Sequence, residues 1–287
     1  MQLFKGACVA AIFISYPLHA QEIDNTEWLV WLKGGTTLYS QGDGPRFASI
    51  ALTREFDSGY IELSASMIDS GTVPGVVNAV PSKSDALTVS AGKTLGNISL
   101  DAYMSVGRRR FQEESFERLG RTITIDSDGK SFATGGSATY DLAVADRLFL
   151  SPYLAVDYDR IDIARAIVLG NANLQWLKSK QDGVSGTAGA TLQRMFGADA
   201  QHVFGVSAAF IATSNSTAAR SGSTGNLVSR VVAARNQPGQ SDEWVEVGTT
   251  ASVALSKNWQ PNIAATRTLG FTGPEATSLS TGISFGF

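Results

Sequence analysis

The chain reads as an all-β protein, an antiparallel up-and-down transmembrane β-barrel of about 12 strands. Three observations predict this class. From Trp28 onward apolar residues recur with a period of two rather than 3.6. Tight and long connections alternate between the segments. The chain closes on an unbroken alternation, with Leu279, Thr281, Ile283, Phe285 and Phe287 on one face and Ser278, Ser280, Gly282, Ser284 and Gly286 on the other.

Composition narrows the alternatives. Of 287 residues, 43% are hydrophobic and 17% charged, too apolar for a disordered chain. No run of ~20 apolar residues exists to form a membrane-spanning helix. A net charge of −3 offers no electrostatic ground for a nucleic-acid partner. Two His and one Cys leave little material for a metal site or a His-based catalytic site, so neither metal nor cofactor is expected.

Residues 1–20 have the layout of a secretory signal peptide. Lys5 is a positive start, 7–16 is a short apolar run, and Leu18-His19-Ala20 is a cleavage-like end. Cleavage after Ala20 leaves one domain, 21–287, with no Cys and a single His, His202. Removing Lys5 makes the balance 22 basic against 26 acidic residues. A barrel of the Gram-negative cell envelope is the expected destination.

The strands are expected at 27–40, 46–56, 59–69, 85–95, 97–112, 131–145, 148–164, 183–196, 202–214, 243–256, 259–271 and 276–287. Tight turns fall at 57–58, at Gly96, at 146–147, at 197–201 and at 257–258. The stretches 70–84, 113–130, 165–182 and 215–242 read as long loops, while 41–45 and 272–275 are short. This pattern places turns on the periplasmic side and loops outside. A tilted strand spans a bilayer in roughly 9–11 residues, and each candidate is long enough. Phe56, Tyr60, Phe149, Phe196, Phe204 and Trp259 gather at the turns, as one ring of an aromatic girdle would. Pro45 is expected outside the strands. Pro152 and Pro261 fall inside them, just past tight turns, where pairing is expected to fray.

Each strand has one apolar face and one face of Ser, Thr, Gly and acids. With the apolar face toward lipid, Lys33, Glu62, Asp101, Asp141, Asp157, Asp159 and Glu246 are expected to face the lumen. An excess of acids there favours cations in a pore; the alternative is a set of acids that only pair with interior bases and hold the barrel shut. Arg108-Arg109-Arg110 ends a strand on the outer side, either as a solvated end or as a seat for lipopolysaccharide phosphates.

Two stretches resemble the β-domain of autotransporters, the translocators of type V secretion. Residues 137–164 contain Leu148, Leu150, Pro152, Tyr153 and Tyr158 in the family's L-x-L-x-P-Y-x-x-x-x-Y pattern. Residues 243–287 run from an acidic-Trp start at Trp244 to a Lys257-Asn258 turn. The resemblance implies a bacterial outer-membrane barrel and a terminal strand whose Phe285 and Phe287 serve as a signal to the barrel-assembly machinery. It also makes Pro152 a family feature. An autotransporter places a passenger before the barrel, whereas the first strand here is expected about seven residues past the cleavage site. A barrel without cargo follows as the expectation.

Catalytic readings are weak. Gly282-Ile283-Ser284-Phe285-Gly286 matches a nucleophile-elbow pattern, but that motif needs a strand-turn-helix setting and a later His. Ala91-Gly92-Lys93-Thr94 lacks the first Gly of a phosphate loop. Asp126-Ser127-Asp128-Gly129 lacks a full calcium-loop pattern. His202 has no companion for a metal. The expected function is therefore a porin-like pore or membrane scaffold and not an enzyme, with outer-membrane lipid and lipopolysaccharide as partners. The alternative is surface binding, adhesin- or receptor-like, through loops 165–182 and 215–242. An outer-membrane enzyme using Glu113, Glu114 or Asp126, and a translocator for a separately encoded passenger, are further alternatives.

Overall fold

The structure is a computed structural model that describes residues 28–39, 42–70, 82–111, 114–118, 121–125, 128–168, 174–197, 200–215, 241–271 and 275–287. The expected signal peptide, most of the expected loop 215–242, and Glu113 and Asp126 lie outside the described residues. Every described element is a strand: β1 (Trp28–Tyr39), β2 (Gly42–Phe56), β3 (Gly59–Ser70), β4 (Ser82–Leu95), β5 (Ile98–Phe111), β6 (Glu114–Arg118), β7 (Arg121–Ile125), β8 (Asp128–Tyr140), β9 (Leu142–Ala145), β10 (Leu148–Val168), β11 (Leu174–Phe196), β12 (His202–Thr213), β13 (Asp242–Val253), β14 (Trp259–Leu269) and β15 (Ala276–Gly286).

Twelve of them form the wall, in the order β1–β5, β8, β10–β15, each antiparallel to its neighbours. β15 returns to pair with β1 from Leu29↔Gly286 to Tyr39↔Ala276, so the sheet closes and has no edge. β9 continues the line of β8 beyond a break at Asp141, and β6 and β7 form a separate hairpin at the loop end. A strand of 12 residues such as β1, rising ~3.3 Å per residue at a tilt of ~45°, covers about 28 Å along the barrel axis, the thickness of a hydrocarbon core.

The outer surface is what the alternation requires. Leu32, Ile50, Leu63, Met67, Leu87, Val106, Leu154, Val156 and Phe210 all point outward and are exposed. In water such a surface would drive aggregation; against lipid tails it is matched. The turn end is knit together by backbone bonds that cross from one turn to the next strand: Thr94 N–H to Ser58 O at 2.7 Å, Asp141 N–H to Asn97 O at 2.8 Å, Met195 N–H to Arg147 O at 2.9 Å and Phe287 N–H to Trp28 O at 3.0 Å. Gly96 supplies the left-handed backbone of the β4–β5 turn, with φ of 64°.

Four expectations are corrected. Residues 165–168 and 174–182 are strand and not loop: β10 and β11 stay paired to Val168↔Leu174, well past their neighbours. Within 113–130 the backbone forms the β6–β7 hairpin and the start of β8. Pro45 lies inside β2, buried, at a bulge where the register against β1 slips between Thr36 and Leu38; the bulge removes the need for its missing N–H. Tyr60 and Phe149 leave the girdle. Tyr60 is buried inside, and Phe149 packs against Met195 and Val203. Phe56, Phe196, Phe204 and Trp259 remain exposed at the turns.

The other two prolines sit at gaps in the ladder. β10 pairs with β9 as far as Leu150↔Leu142 and with β8 from Tyr153↔Thr139, so Pro152 faces the break at Asp141. β13–β14 pairing ends at Ser252↔Asn262, one pair short of Pro261. In both places the absent donor falls where no partner strand needs it.

Candidate functional site in the barrel interior

Strand parity carries the acids inward, and burial follows. Glu62, Asp101, Asp157, Asp159 and Glu246 are all buried, with Glu62 and Asp159 only 1% exposed. Buried carboxylates need partners, and the wall supplies them from the same face. Thr53 donates its Oγ1–H to Glu62 Oε2 at 2.9 Å. Trp244 donates Nε1–H to Glu246 Oε1 at 3.1 Å, across the two-residue step that keeps both side chains inside. Lys33 lies on the inward face of β1 within electrostatic reach of Glu62.

Asp101 and Asp157 are held by a repeated device. Tyr60 lies across Gly92 and donates its hydroxyl to Asp101 Oδ1 at 2.9 Å. Tyr103 lies across Gly135 and donates to Asp157 Oδ1 at 2.8 Å. In each case tyrosine, glycine and acid are consecutive partners across three strands. A Cβ at Gly92 would collide with both Tyr60 and Asp101, and one at Gly135 with Tyr103 and Asp157. The glycines are therefore gaps over which the rings lie flat on the wall.

Asp141 is placed differently. It sits in the break between β8 and β9, where it accepts a hydrogen bond from Ser151 Oγ at 2.5 Å. That bond spans the gap in the ladder beside Pro152. Asp159 stands two residues from Asp157 on the same face of β10. The interior thus gathers Glu62, Asp101, Asp157 and Asp159 on the β3–β10 side and Glu246 on β13.

Arg109, the middle of the Arg108–Arg110 run, is set apart from its neighbours. It is 7% exposed, donates Nε–H to Ser82 Oγ at 2.7 Å, and holds its guanidinium 4.9 Å from the Phe111 ring centroid. Parity was the available signal, since Arg109 shares the odd face of β5 with Asp101. The same parity turns Tyr60, Tyr103 and Tyr153 into the interior.

Arg108 and Arg110 point outward, into a belt of ion pairs at the loop end. Arg108 pairs with Asp128 at 2.6 Å, Arg160 with Asp162 at 2.8 Å, Arg267 with Glu275 at 2.9 Å, and Lys83 with Asp69 at 3.8 Å. Arg110 pairs with Asp85. All these side chains are substantially exposed, so each pair contributes little stability in water.

Three of the motifs set aside as catalytic lie in the wall. Ser284 lies near the end of β15 and donates to Gln260 O at 3.3 Å. Residues 91–94 lie within β4. His202 opens β12 beside Phe196, with ring centroids 5.3 Å apart. Among the described residues no three His, Cys, Asp or Glu side chains converge as a metal site. At the chain end, Phe285 packs on Trp259 at 4.7 Å and on Phe287 at 6.0 Å between centroids.

Comparison with known proteins agrees with this architecture. The translocator domain of the autotransporter NalP from Neisseria meningitidis superposes with a TM-score of 0.66 at 15% identity, over 92% of this chain and 91% of that one. The β-domain of the Bordetella autotransporter BrkA gives 0.63 at 15% identity, over 92% and 100%. An outer membrane channel from Pseudomonas putida F1 gives 0.52 at 11% identity, over 91% and 94%. At such identities the likeness concerns the fold. No curated protein matches the chain. The family model of the autotransporter beta-domain, however, matches residues 52–265, from β2 well into β14. With its closed barrel of twelve antiparallel strands, the chain belongs to the autotransporter β-domain family of outer-membrane barrels.

Proposed function

We propose that the barrel acts as an outer-membrane pore with a modest preference for cations. The observation that carries this reading is the inward charge balance. Five buried carboxylates, Glu62, Asp101, Asp157, Asp159 and Glu246, stand against the interior bases Lys33 and Arg109. Small inward residues such as Ser64, Ser66, Ser105, Gly205 and Gly248 leave room between them. Acid-lined walls of this kind attract cations and repel anions.

The test is planar-bilayer recording of the purified barrel in a salt gradient. Discrete conductance steps with a cation-selective reversal potential are expected. Asp157→Asn with Glu246→Gln should move that potential toward zero. An inserted barrel without steps, or selectivity unchanged in the double variant, sinks the proposal.

A second reading is surface binding, and the β10–β11 hairpin favours it. β10 has 21 residues and β11 has 23, against 11–15 for the other wall strands, so the hairpin extends beyond the membrane. Shortening it between 163 and 179 should leave conductance intact and abolish partner binding. We also propose that residues 1–20 are removed after Ala20 and that Phe285 and Phe287 are read by the assembly machinery. N-terminal sequencing of the mature barrel, and insertion yields of a Phe285→Ala/Phe287→Ala variant, test these two steps.

A further inference from the structure

We propose that the membrane face of β2–β5, in its outer half, seats one acylated, phosphorylated lipid of the outer leaflet, a lipid A. Two independent features of the outward surface point there. The first is a groove of about 800 Å³. Its floor is made by Ala48 and Ala65. Ala65 is the direct cross-strand partner of Ile50 on one side and Leu87 on the other, so a small residue sits between two large ones. Leu32 and Val106 extend the walls, and the lining is mostly apolar until it reaches Arg108 and Asp85, the latter paired with Arg110. A trough of this shape, sunk in a surface that faces lipid, fits acyl chain.

The second feature is the charge at the groove's outer end. Arg108 lies directly opposite Lys130 on β8, and Lys83 directly opposite Arg110 on β5. Like charges in directly opposed positions destabilise a sheet. The acids nearby do not balance them. Asp69, Asp85 and Asp128 engage Lys83, Arg110 and Arg108 in turn, while Arg46 and Lys130 have no ion-pair partner among the described residues. Asp162 on β10 stands opposite Lys130 but is held by Arg160, so six cations (Arg46, Lys83, Arg108, Arg110, Lys130 and Arg160) face four carboxylates (Asp69, Asp85, Asp128 and Asp162) on this sector. An anion between Arg108 and Lys130 would relieve the repulsion, and the planar guanidinium matches phosphate in particular.

Geometry selects the leaflet. The cations lie at the loop end, which faces outward in barrels of this construction, and the groove runs from them toward the membrane centre. A ligand that fills both parts carries phosphate outside and acyl chain inside. In an outer membrane that lipid is lipid A.

The test uses the whole barrel purified in mild detergent and offered lipid A, dephosphorylated lipid A or phosphatidylglycerol, with retention through gel filtration read by native mass spectrometry. One lipid A per barrel is the expected result. Arg108→Gln/Lys130→Gln should weaken retention by about tenfold or more. Ala48→Phe/Ala65→Phe should do the same with every cation in place, because it fills the trough. Leu95→Phe, a lipid-facing change at the turn end, should leave retention unaltered and controls for general surface effects. Heat-modifiable gel mobility confirms that each variant is folded. Equal retention of dephosphorylated lipid A or of phosphatidylglycerol overturns the proposal, as does unchanged retention in either double variant.

Discussion

The β3–β10 side of the barrel and the β11–β15 side share one backbone pattern and differ in what they hold inside. On the first side, Glu62 is anchored by a hydroxyl on the adjacent strand, and Asp101 and Asp157 each by a tyrosine two strands away, laid over a glycine of the strand between. On the second side the inward face is largely Ser, Thr and Gly. It is interrupted by apolar clusters of Ile211, Trp244 and Ala209, and of Met195 and Val203, with Glu246 as its buried carboxylate. The difference teaches that alternation decides only which residues go inside. Chemistry and shape within the barrel are then chosen strand by strand.

The largest effect should come from filling one of the glycine gaps. Gly135→Leu drives a side chain into Tyr103, Asp157 and the Val156 carbonyl, and rigid wall strands cannot move aside. Failure to reach the heat-modifiable folded form is expected. Gly186→Leu, on the outward face of β11, points into open space and should change stability by less than about 0.5 kcal/mol. If the two glycines tolerate substitution equally, the tyrosine-over-glycine device does not set the β3–β10 side apart.

Next comes the apolar cluster. Ile211 is fully buried, so Ile211→Ala should cost about 2–4 kcal/mol in guanidinium unfolding. It should leave ion selectivity unchanged, because it alters no charge. Tyr103→Phe on the opposite side should cost less, about 1–2 kcal/mol for a lost bond to a buried carboxylate. It should also alter conductance, since Asp157 loses one anchor. A selectivity change in Ile211→Ala with none in Tyr103→Phe would reverse the assignment of the two sides.

The smallest effect belongs to the outer belt. Asp162→Asn removes one exposed ion pair and should cost under about 1 kcal/mol, less still in high salt. Unfolding midpoints at low and high ionic strength would measure it. A large cost would mean that the belt is shielded from water and matters more than its exposure suggests.

Local pattern made most of this fold legible. All twelve wall strands were readable because a half-buried strand writes its two faces into every second residue, and because tight turns such as Gly96-Asn97 and Asp146-Arg147 are marked within a few positions. Parity also placed Lys33, Glu62, Asp101, Asp157, Asp159 and Glu246 on the inward faces. The errors fell where a neighbour decides. The pairing of 163–168 with 174–179 could not be read because strands past the membrane need no apolar face. Pro45 looked like a loop residue because the bulge that accommodates it belongs jointly to β1 and β2. Tyr60 and Phe149 looked like girdle residues because proximity to a turn was given more weight than parity.

What the amino-acid sequence determined by itself is the class of the object: a closed antiparallel barrel, its strand count, its turn and loop ends, and which side chains face lipid. Those follow from period and spacing, which are local properties of the chain. Tertiary structure alone decided which inward groups meet. Tyr60 reaches Asp101 and Tyr103 reaches Asp157 because glycines on the intervening strands leave the wall flat, and Arg108 opposes Lys130 because the β5–β8 register puts them level. Such meetings depend on register between strands tens of residues apart in sequence, and no local pattern contains it.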